Sequence, residues 1–336
     1  MAQPTQVPKV RLGNSNVMVS SIGLGCMGMS AFYGDKHDDE NSLKVLNRAL
    51  DLGCNFWDTA DVYGANEELL SKVLATRRSE VFLCTKFAAS VKADGSVGIS
   101  GKPEYVLEAC DRSLKRLGVS QIDLYYQHIP DQTTPIEETV KAMKSLVDAG
   151  KVRFLGLSNC PADWIRRAHK VHPITAIQVE YSPWTLDIES DGVLETCKEL
   201  DIAVVCYSPL GRGFLTGEIK SPDDFAPTDY RRTVPRFQGE NFKKNYELVT
   251  AFDKIAKAKG VPASQLILAW ILTRGGSTSF IPIPGTTKIG RLEENLHSAQ
   301  IQLTPEEQKS ISQILATIPV TGARYNEKMY SDPTKV

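Results

Sequence analysis

Four titratable side chains stand at, or just beyond, the ends of short apolar runs in this sequence. Asp58 lies at the end of CNFWDT, Lys86 closes VFLCTK, His128 closes IDLYYQH, and Tyr63 follows Asp58 in the next irregular segment. Polar residues end three further runs: Ser158-Asn159, Gln178 and Tyr207-Ser208. Each alone has an ordinary explanation, since a strand-end Asp often caps a helix and a lone Lys is usually a solvated charge. Together they suit one chemistry. A tyrosine holds its proton until about pH 10, and a neighbouring ammonium stabilises the phenolate and eases its release. Lys86 would play that part for Tyr63, with Asp58 keeping the lysine charged and oriented. His128 would direct a carbonyl oxygen toward the phenol, so that an oxyanion is protonated as hydride reaches the carbon. A Schiff base on Lys86 is the competing use, but a partnering Asp keeps the amine protonated and poorly nucleophilic. No His-carboxylate cluster ends a run, which weakens metal-assisted hydrolysis.

Those positions gain meaning from the elements that carry them. The apolar runs end at Gly25, Thr59, Lys86, His128, Ser158, Glu180, Ser208 and Ile283, and segments with helical spacing lie between them, including 40–52, 103–117, 136–149, 190–200 and 287–298. A strand-then-helix unit repeated eight times predicts parallel strands and closes into a (β/α)8 TIM barrel. In that fold reacting groups sit at the C-terminal ends of the strands. Residues 9–19 predict an N-terminal β-hairpin turning at Gly13-Asn14-Ser15-Asn16. The stretch 209–239 predicts a long loop after strand 7, followed by extra helices at 241–259 and 262–273 and another at 304–316. No linker or repeat divides the chain, so residues 1–336 read as a single domain. Gly23-Leu-Gly25-Cys-Met-Gly28 matches the dinucleotide fingerprint G-x-G-x-x-G, yet a dozen irregular residues precede the next helix. Asp58 also lies well beyond the roughly 20 residues that motif requires. These glycines are instead expected to let a ligand approach the first strand's end.

Composition bounds the partners. The 336 residues carry 39 Lys+Arg and 40 Asp+Glu, a net charge of −1, with 42% hydrophobic residues. Such a balance gives no general attraction to nucleic acid or to an anionic membrane. No apolar run reaches the length of about 18 residues expected of a membrane span, and the N-terminus lacks the core of a signal peptide. A cytoplasmic location is the expectation. The seven cysteines are odd in number, lack C-x-x-C spacing and fall in apolar runs, so buried thiols are expected rather than disulfides or a metal. His169 and His172 lie in a basic helix end without carboxylates or thiolates, and no metal site is expected there.

The pieces GCNFWDTADVYGANEELL, VFLCTKF, IDLYYQH, GKVRFLGLSN, YSPLGRGFLTG and IPGTTKIGRLEENL, in this order, resemble the aldo-keto reductase superfamily. The resemblance implies an NADP-dependent oxidoreductase whose catalytic residues are Asp58, Tyr63, Lys86 and His128, with Tyr63 the general acid. It implies NADP(H) lying across the barrel mouth. Ser158, Asn159 and Gln178 match positions holding the carboxamide, and Tyr207 the one stacking on the nicotinamide. Ser208, Leu210, Gly211 and Gly213 match the pyrophosphate-side loop. Gly285, Thr286, Thr287, Lys288, Arg291, Glu294 and Asn295 match the adenosine-phosphate segment. There a Gly-Thr turn at a helix start offers N–H groups, and two cations suit a 2′-phosphate, which favours NADP(H) over NAD(H). GCMGMSAFYG and DYRRTVPRFQGENF look like the pyridoxal-reductase/YakC-like group, although Asn159-Cys160 stand where many of its members have Glu-Ala or Glu-Gly. Reduction of a small aldehyde or ketone, pyridoxal-type or otherwise aromatic, is expected. Phe32, Tyr33, Phe87, Trp184, Arg232, Phe237 and Tyr325 are the candidate substrate contacts. The alternative is a nicotinamide-binding regulatory subunit similar to potassium-channel β subunits, which share the barrel and the four residues.

Overall fold

A computed structural model describes residues 6–31, 38–91 and 97–326. Eight parallel strands form its centre: β1 (Leu24–Gly25), β2 (Phe56–Asp58), β3 (Phe82–Phe87), β4 (Ile122–Gln127), β5 (Val152–Ser158), β6 (Ile174–Glu180), β7 (Ala203–Tyr207) and β8 (Phe280–Pro282). Each pairs with the next in chain order. The cylinder closes between its ends, where the Gly23 amide donates to the Pro282 carbonyl at 2.9 Å and Gly25 bridges in parallel to Gly285. The expected TIM barrel is therefore present.

Helices α1 (Asp39–Asp51), α2 (Asn66–Arg77), α3 (Pro103–Leu117), α4 (Ile136–Asp148), α5 (Ala162–Val171) and α6 (Val193–Glu199) follow strands β1 to β6 in turn. Between β7 and β8 lie short 3-10 turns and then α7 (Gly239–Lys259) and α8 (Ala263–Leu272); α9 (Ile289–His297) and α10 (Pro305–Thr317) follow β8. The expected helices form within a residue or three of their sequence boundaries. α10 starts where Thr304 and Glu307 cap each other reciprocally. An additional antiparallel pair, Ala89–Val91 with Val97–Ile99, extends beyond β3 and was not expected from the sequence.

Strands β2, β3, β4 and β6 are buried at every position, which is why they read as continuous apolar runs rather than alternating ones. One set of side chains packs outward against the helices. The other, including Phe56, Phe82, Tyr126, Ala176 and Val205, fills the barrel interior. Tyr126 fits because β5 offers Gly156 opposite it: a Cβ there would lie 2.4 Å from the ring. The hairpin Lys9–Arg11/Met18–Ser20 covers the starts of the late strands. Leu12 and Val19 are fully buried, Asn14 donates to the Ile174 carbonyl at 3.1 Å, and Ser279 donates to the Arg11 carbonyl at 2.6 Å.

The first glycines need correcting in part. Gly23 serves strand packing, since a Cβ on it would lie 2.8 Å from the Phe56 carbonyl oxygen and 2.9 Å from Ile283. Gly25 and Gly28 line the cleft at the strand ends, although a Cβ on Gly25 would also lie 2.7 Å from the Ile283 carbonyl oxygen. Among the described residues no helix is long and apolar enough to cross a membrane. All seven cysteines are buried free thiols.

Candidate active site

Each strand end delivers its polar residue to one mouth. Asp58 ends β2, Lys86 is the penultimate residue of β3, and His128 follows β4, while Tyr63 is carried on the loop between β2 and α2. Lys86 is fully buried and donates from Nζ to Asp58 Oδ1 at 2.5 Å and to the Thr59 carbonyl at 2.8 Å. The second Asp58 oxygen accepts from Gln178 Nε2 at 2.7 Å. Burial opposes the charge of Lys86, but the Asp58 carboxylate holds its ammonium above the usual range. Burial likewise pushes the Asp58 carboxyl up, against the pull of Lys86 and Gln178.

Lys86 Nζ sits 5.0 Å from the centre of the Tyr63 ring, and the His128 ring meets Tyr63 edge-on with centroids 5.7 Å apart. Burial first, and then the Lys86 charge, hold the His128 imidazole well below its ordinary range, so it is neutral at pH 7. Its Nδ1 is buried without a hydrogen-bond partner. An unprotonated nitrogen is the less costly atom to leave there, which assigns the proton to Nε2.

A cleft of about 700 Å³ runs from these residues across the strand ends. Of the residues expected to hold a cofactor, Ser158, Asn159, Gln178, Tyr207, Ser208, Leu210, Gly213, Gly285, Thr286, Thr287, Arg291, Glu294 and Asn295 line it. Gly211 and Lys288 do not. Gly211 is buried at φ +58°, where a Cβ would meet the Trp184 ring at 2.7 Å, and Lys288 is exposed at the start of α9. Asn159 and Ser208 also take left-handed backbone, at φ 49° and 48°, which turns the chain sharply at two strand ends. At the far end Arg291 is paired across the cleft with Glu218 of the loop after β7, at 2.5 Å.

The expected substrate contacts divide differently. Tyr325 lines the cleft, and its hydroxyl lies 2.8 Å from that of Tyr207, which itself donates to Asn159 Oδ1 at 3.0 Å. Phe87 is fully buried and stacks on Tyr125, because its side chain points to the helix layer rather than to the mouth. Trp184 and Phe237 pack with Phe214 in a buried aromatic cluster. Arg232 donates to the Pro222 and Phe225 carbonyls of its own loop. These four lie off the cleft wall. Phe32 and Tyr33 fall outside the described residues.

The structure adds Glu180 and Arg212, paired at 3.2 Å with side chains only 5% and 7% exposed. Arg212 lines the cleft and also donates to the Arg324 carbonyl, tying the loop after β7 to the C-terminal segment. Glu180 ends β6 and so carried the same strand-end signal as Asp58. Nothing in the spacing marked Arg212.

The model of the aldo/keto reductase family matches residues 21–316. The aldo-keto reductase yakc, NADP(+), of Schizosaccharomyces pombe is 47% identical over 326 residues, covering 95% of this chain and 94% of its own. The aldo-keto reductase str7 of Strobilurus tenacellus is 48% identical over 327 residues, covering 95% of each chain. Among solved structures, the glycerol dehydrogenase AKR11B4 from Gluconobacter oxydans superposes with a TM-score of 0.84 at 28% identity, covering 96% of this chain and 98% of that one. Barrel, ordered motifs and full-length likeness agree: the chain belongs to the aldo/keto reductase family.

Proposed function

We propose that the protein is an NADPH-dependent reductase of aldehydes and ketones. The observation that carries this is the convergence of a phenol, a buried ammonium-carboxylate pair and a neutral imidazole at one end of the cleft. NADP(H) fits the rest of the cleft by the chemistry of its walls. Gly25, Gly28, Gly213 and Gly285 leave backbone exposed there, and Thr286, Thr287 and Arg291 set hydroxyls and a cation beside the start of α9. Ser158, Asn159 and Gln178 would hold the carboxamide, Tyr207 would support the ring, and Ser208, Leu210 and Gly213 would border the pyrophosphate. Bound there, the reduced nicotinamide supplies the hydride.

The side chains do the remaining work. His128 donates from Nε2 to the carbonyl oxygen and fixes its direction. Tyr63 gives its phenolic proton to that oxygen. The Lys86 ammonium stabilises the phenolate left behind, and Asp58 keeps Lys86 charged and in place. A positioned acid of this kind contributes about 100- to 10,000-fold. The cleft wall includes Val62, Ile129, Val234 and Tyr325, so a small, partly apolar or aromatic carbonyl compound such as pyridoxal suits it.

The test is steady-state oxidation of NADPH with a panel of aldehydes and ketones, repeated with NADH. Turnover is expected with NADPH and is expected to fall at least about 100-fold in Tyr63→Phe. Tight NADPH binding without turnover of any carbonyl compound would instead favour a regulatory nicotinamide-binding role.

A further inference from the structure

The first turn of α2 directs two polar side chains into the interior. Asn66 is 0% and Glu67 is 1% exposed. Neither is among the four reacting residues, yet both are bonded to the segments that carry them. Asn66 Oδ1 accepts from Thr59 Oγ1 at 2.6 Å, and its Nδ2 donates to the Cys26 carbonyl at 2.8 Å. Glu67 Oε1 accepts at 2.8 Å from the hydroxyl of Thr85, the residue before Lys86. Its other oxygen lies 3.5 Å from Arg116 Nη1 on α3. The same Arg116 nitrogen lies 3.2 Å from the carbonyl oxygen of Asp61, to which it donates, while the Asp61 amide donates to the Lys86 carbonyl at 3.1 Å.

The loop bearing Tyr63 and the strand bearing Lys86 are thus joined by one circuit: Thr85, Glu67, Arg116, Asp61 and Lys86. We propose that Glu67 and Arg116 are positioning residues of the reaction, setting the separation between the Tyr63 phenol and the Lys86 ammonium from behind. This rests on Tyr63 being the general acid. A buried carboxylate is costly, and an ordinary helix start would leave Glu67 in water. Its place here follows from the Thr85 hydrogen bond on the Lys86 strand and from the ion pair with Arg116, which holds the Tyr63 loop through the Asp61 carbonyl. Besides Glu67, the charges acting on Asp61 are Lys86 from β3 and Arg112 and Arg116 from α3. Glu67 faces Arg116 and Ser113, Glu68 of α2 pairs with the same Arg116, and the phenols of Tyr105 and Tyr125 lie alongside.

Glu67→Gln keeps an acceptor for Thr85 but loses its charge toward Arg116. Arg116→Met releases the Asp61 carbonyl. Misplacing a reacting group by about 1 Å can cost about 100-fold, so a partial slackening is expected to lower kcat about tenfold in each variant. KM and NADPH affinity should stay within about twofold, because neither residue lines the cleft. The alkaline limb of the kcat profile should move to higher pH, since a phenol farther from Lys86 loses part of the field that stabilises its anion. The double variant should be no worse than the poorer single one, because both act through one contact.

Variants with a lower melting temperature but an unmoved alkaline limb would overturn the proposal, as would a loss confined to NADPH binding. If Glu67→Gln does not fold, Arg116→Met, whose side chain is 37% exposed, decides alone. Wild-type turnover in Tyr63→Phe would refute the acid assignment itself. An inactive Tyr63→Phe beside unaffected Glu67 and Arg116 variants would refute only the positioning.

Discussion

Asp61 gives the sharpest quantitative expectation. Its Oδ1 is buried with no hydrogen-bond partner, and burial, reinforced by Glu67, pushes its carboxyl from 3.8 up to about 7. Arg112, Arg116 and Lys86 pull the other way without cancelling that rise. Between pH 4 and 7 the folded protein therefore keeps a proton on Asp61 that the unfolded chain has released. This contribution to stability is full below the unfolded value, declines as pH rises from 3.8 toward about 7, and is gone above it. A rise of about three units corresponds to about 4 kcal/mol, an upper bound because local relaxation relieves part of the burial cost. Asp61→Asn imitates the protonated side chain at every pH. At pH 5 the variant should be more stable by about 1–2 kcal/mol, and at pH 8 by about 2–4 kcal/mol. Denaturant unfolding of both proteins at the two pH values measures the difference, and subtraction removes titrations common to both. Equal stability at pH 8, or a variant less stable there, would refute a buried, unsatisfied carboxylate at this position.

Other outcomes follow from single contacts. Arg291→Ala should raise the Kd for NADPH about tenfold while leaving NADH binding nearly unchanged, as fluorescence titration would show. Tyr325→Phe removes the hydroxyl bonded to Tyr207 and should weaken NADPH binding about threefold to tenfold, with faster cofactor release in stopped-flow traces. Gly156→Ala drives a methyl group against the Tyr126 ring inside the barrel and should destabilise the protein by about 1–3 kcal/mol, seen as an earlier denaturant midpoint.

The barrel was legible because buried parallel strands are apolar on both faces, so VFLCTK or IAVVCYS stands out from any amphipathic helix. Asp58, Lys86 and His128 were legible for the same reason: polar side chains closing such runs have only the mouth to point into, while Tyr63 was found from its place in the loop just beyond Asp58. The helix start at Asn66 was harder to interpret, since its inward-facing Asn66 and Glu67 break the rule that polar residues face water. Aromatic character in irregular segments proved a poor guide to the cleft. Trp184 and Phe237 stabilise the loop after β7 by packing on Phe214, a long-range contact that local sequence does not encode. Phe87 follows Lys86 on one strand, and alternation alone would have sent its side chain to the opposite face.

Barrel closure through Gly23, Gly25, Pro282 and Gly285 has a consequence for how the chain is made. The strand that begins the cylinder and the strand that completes it come from opposite ends of the sequence, and the N-terminal hairpin rests on residues that follow Ile174. On a ribosome the first seven strands emerge while β1 and β7 still present open edges, each able to pair with another chain. Such late, distant contacts slow folding and prolong that exposure. A chain truncated before Phe280 would therefore gain a propensity to aggregate, not merely lose its last helices.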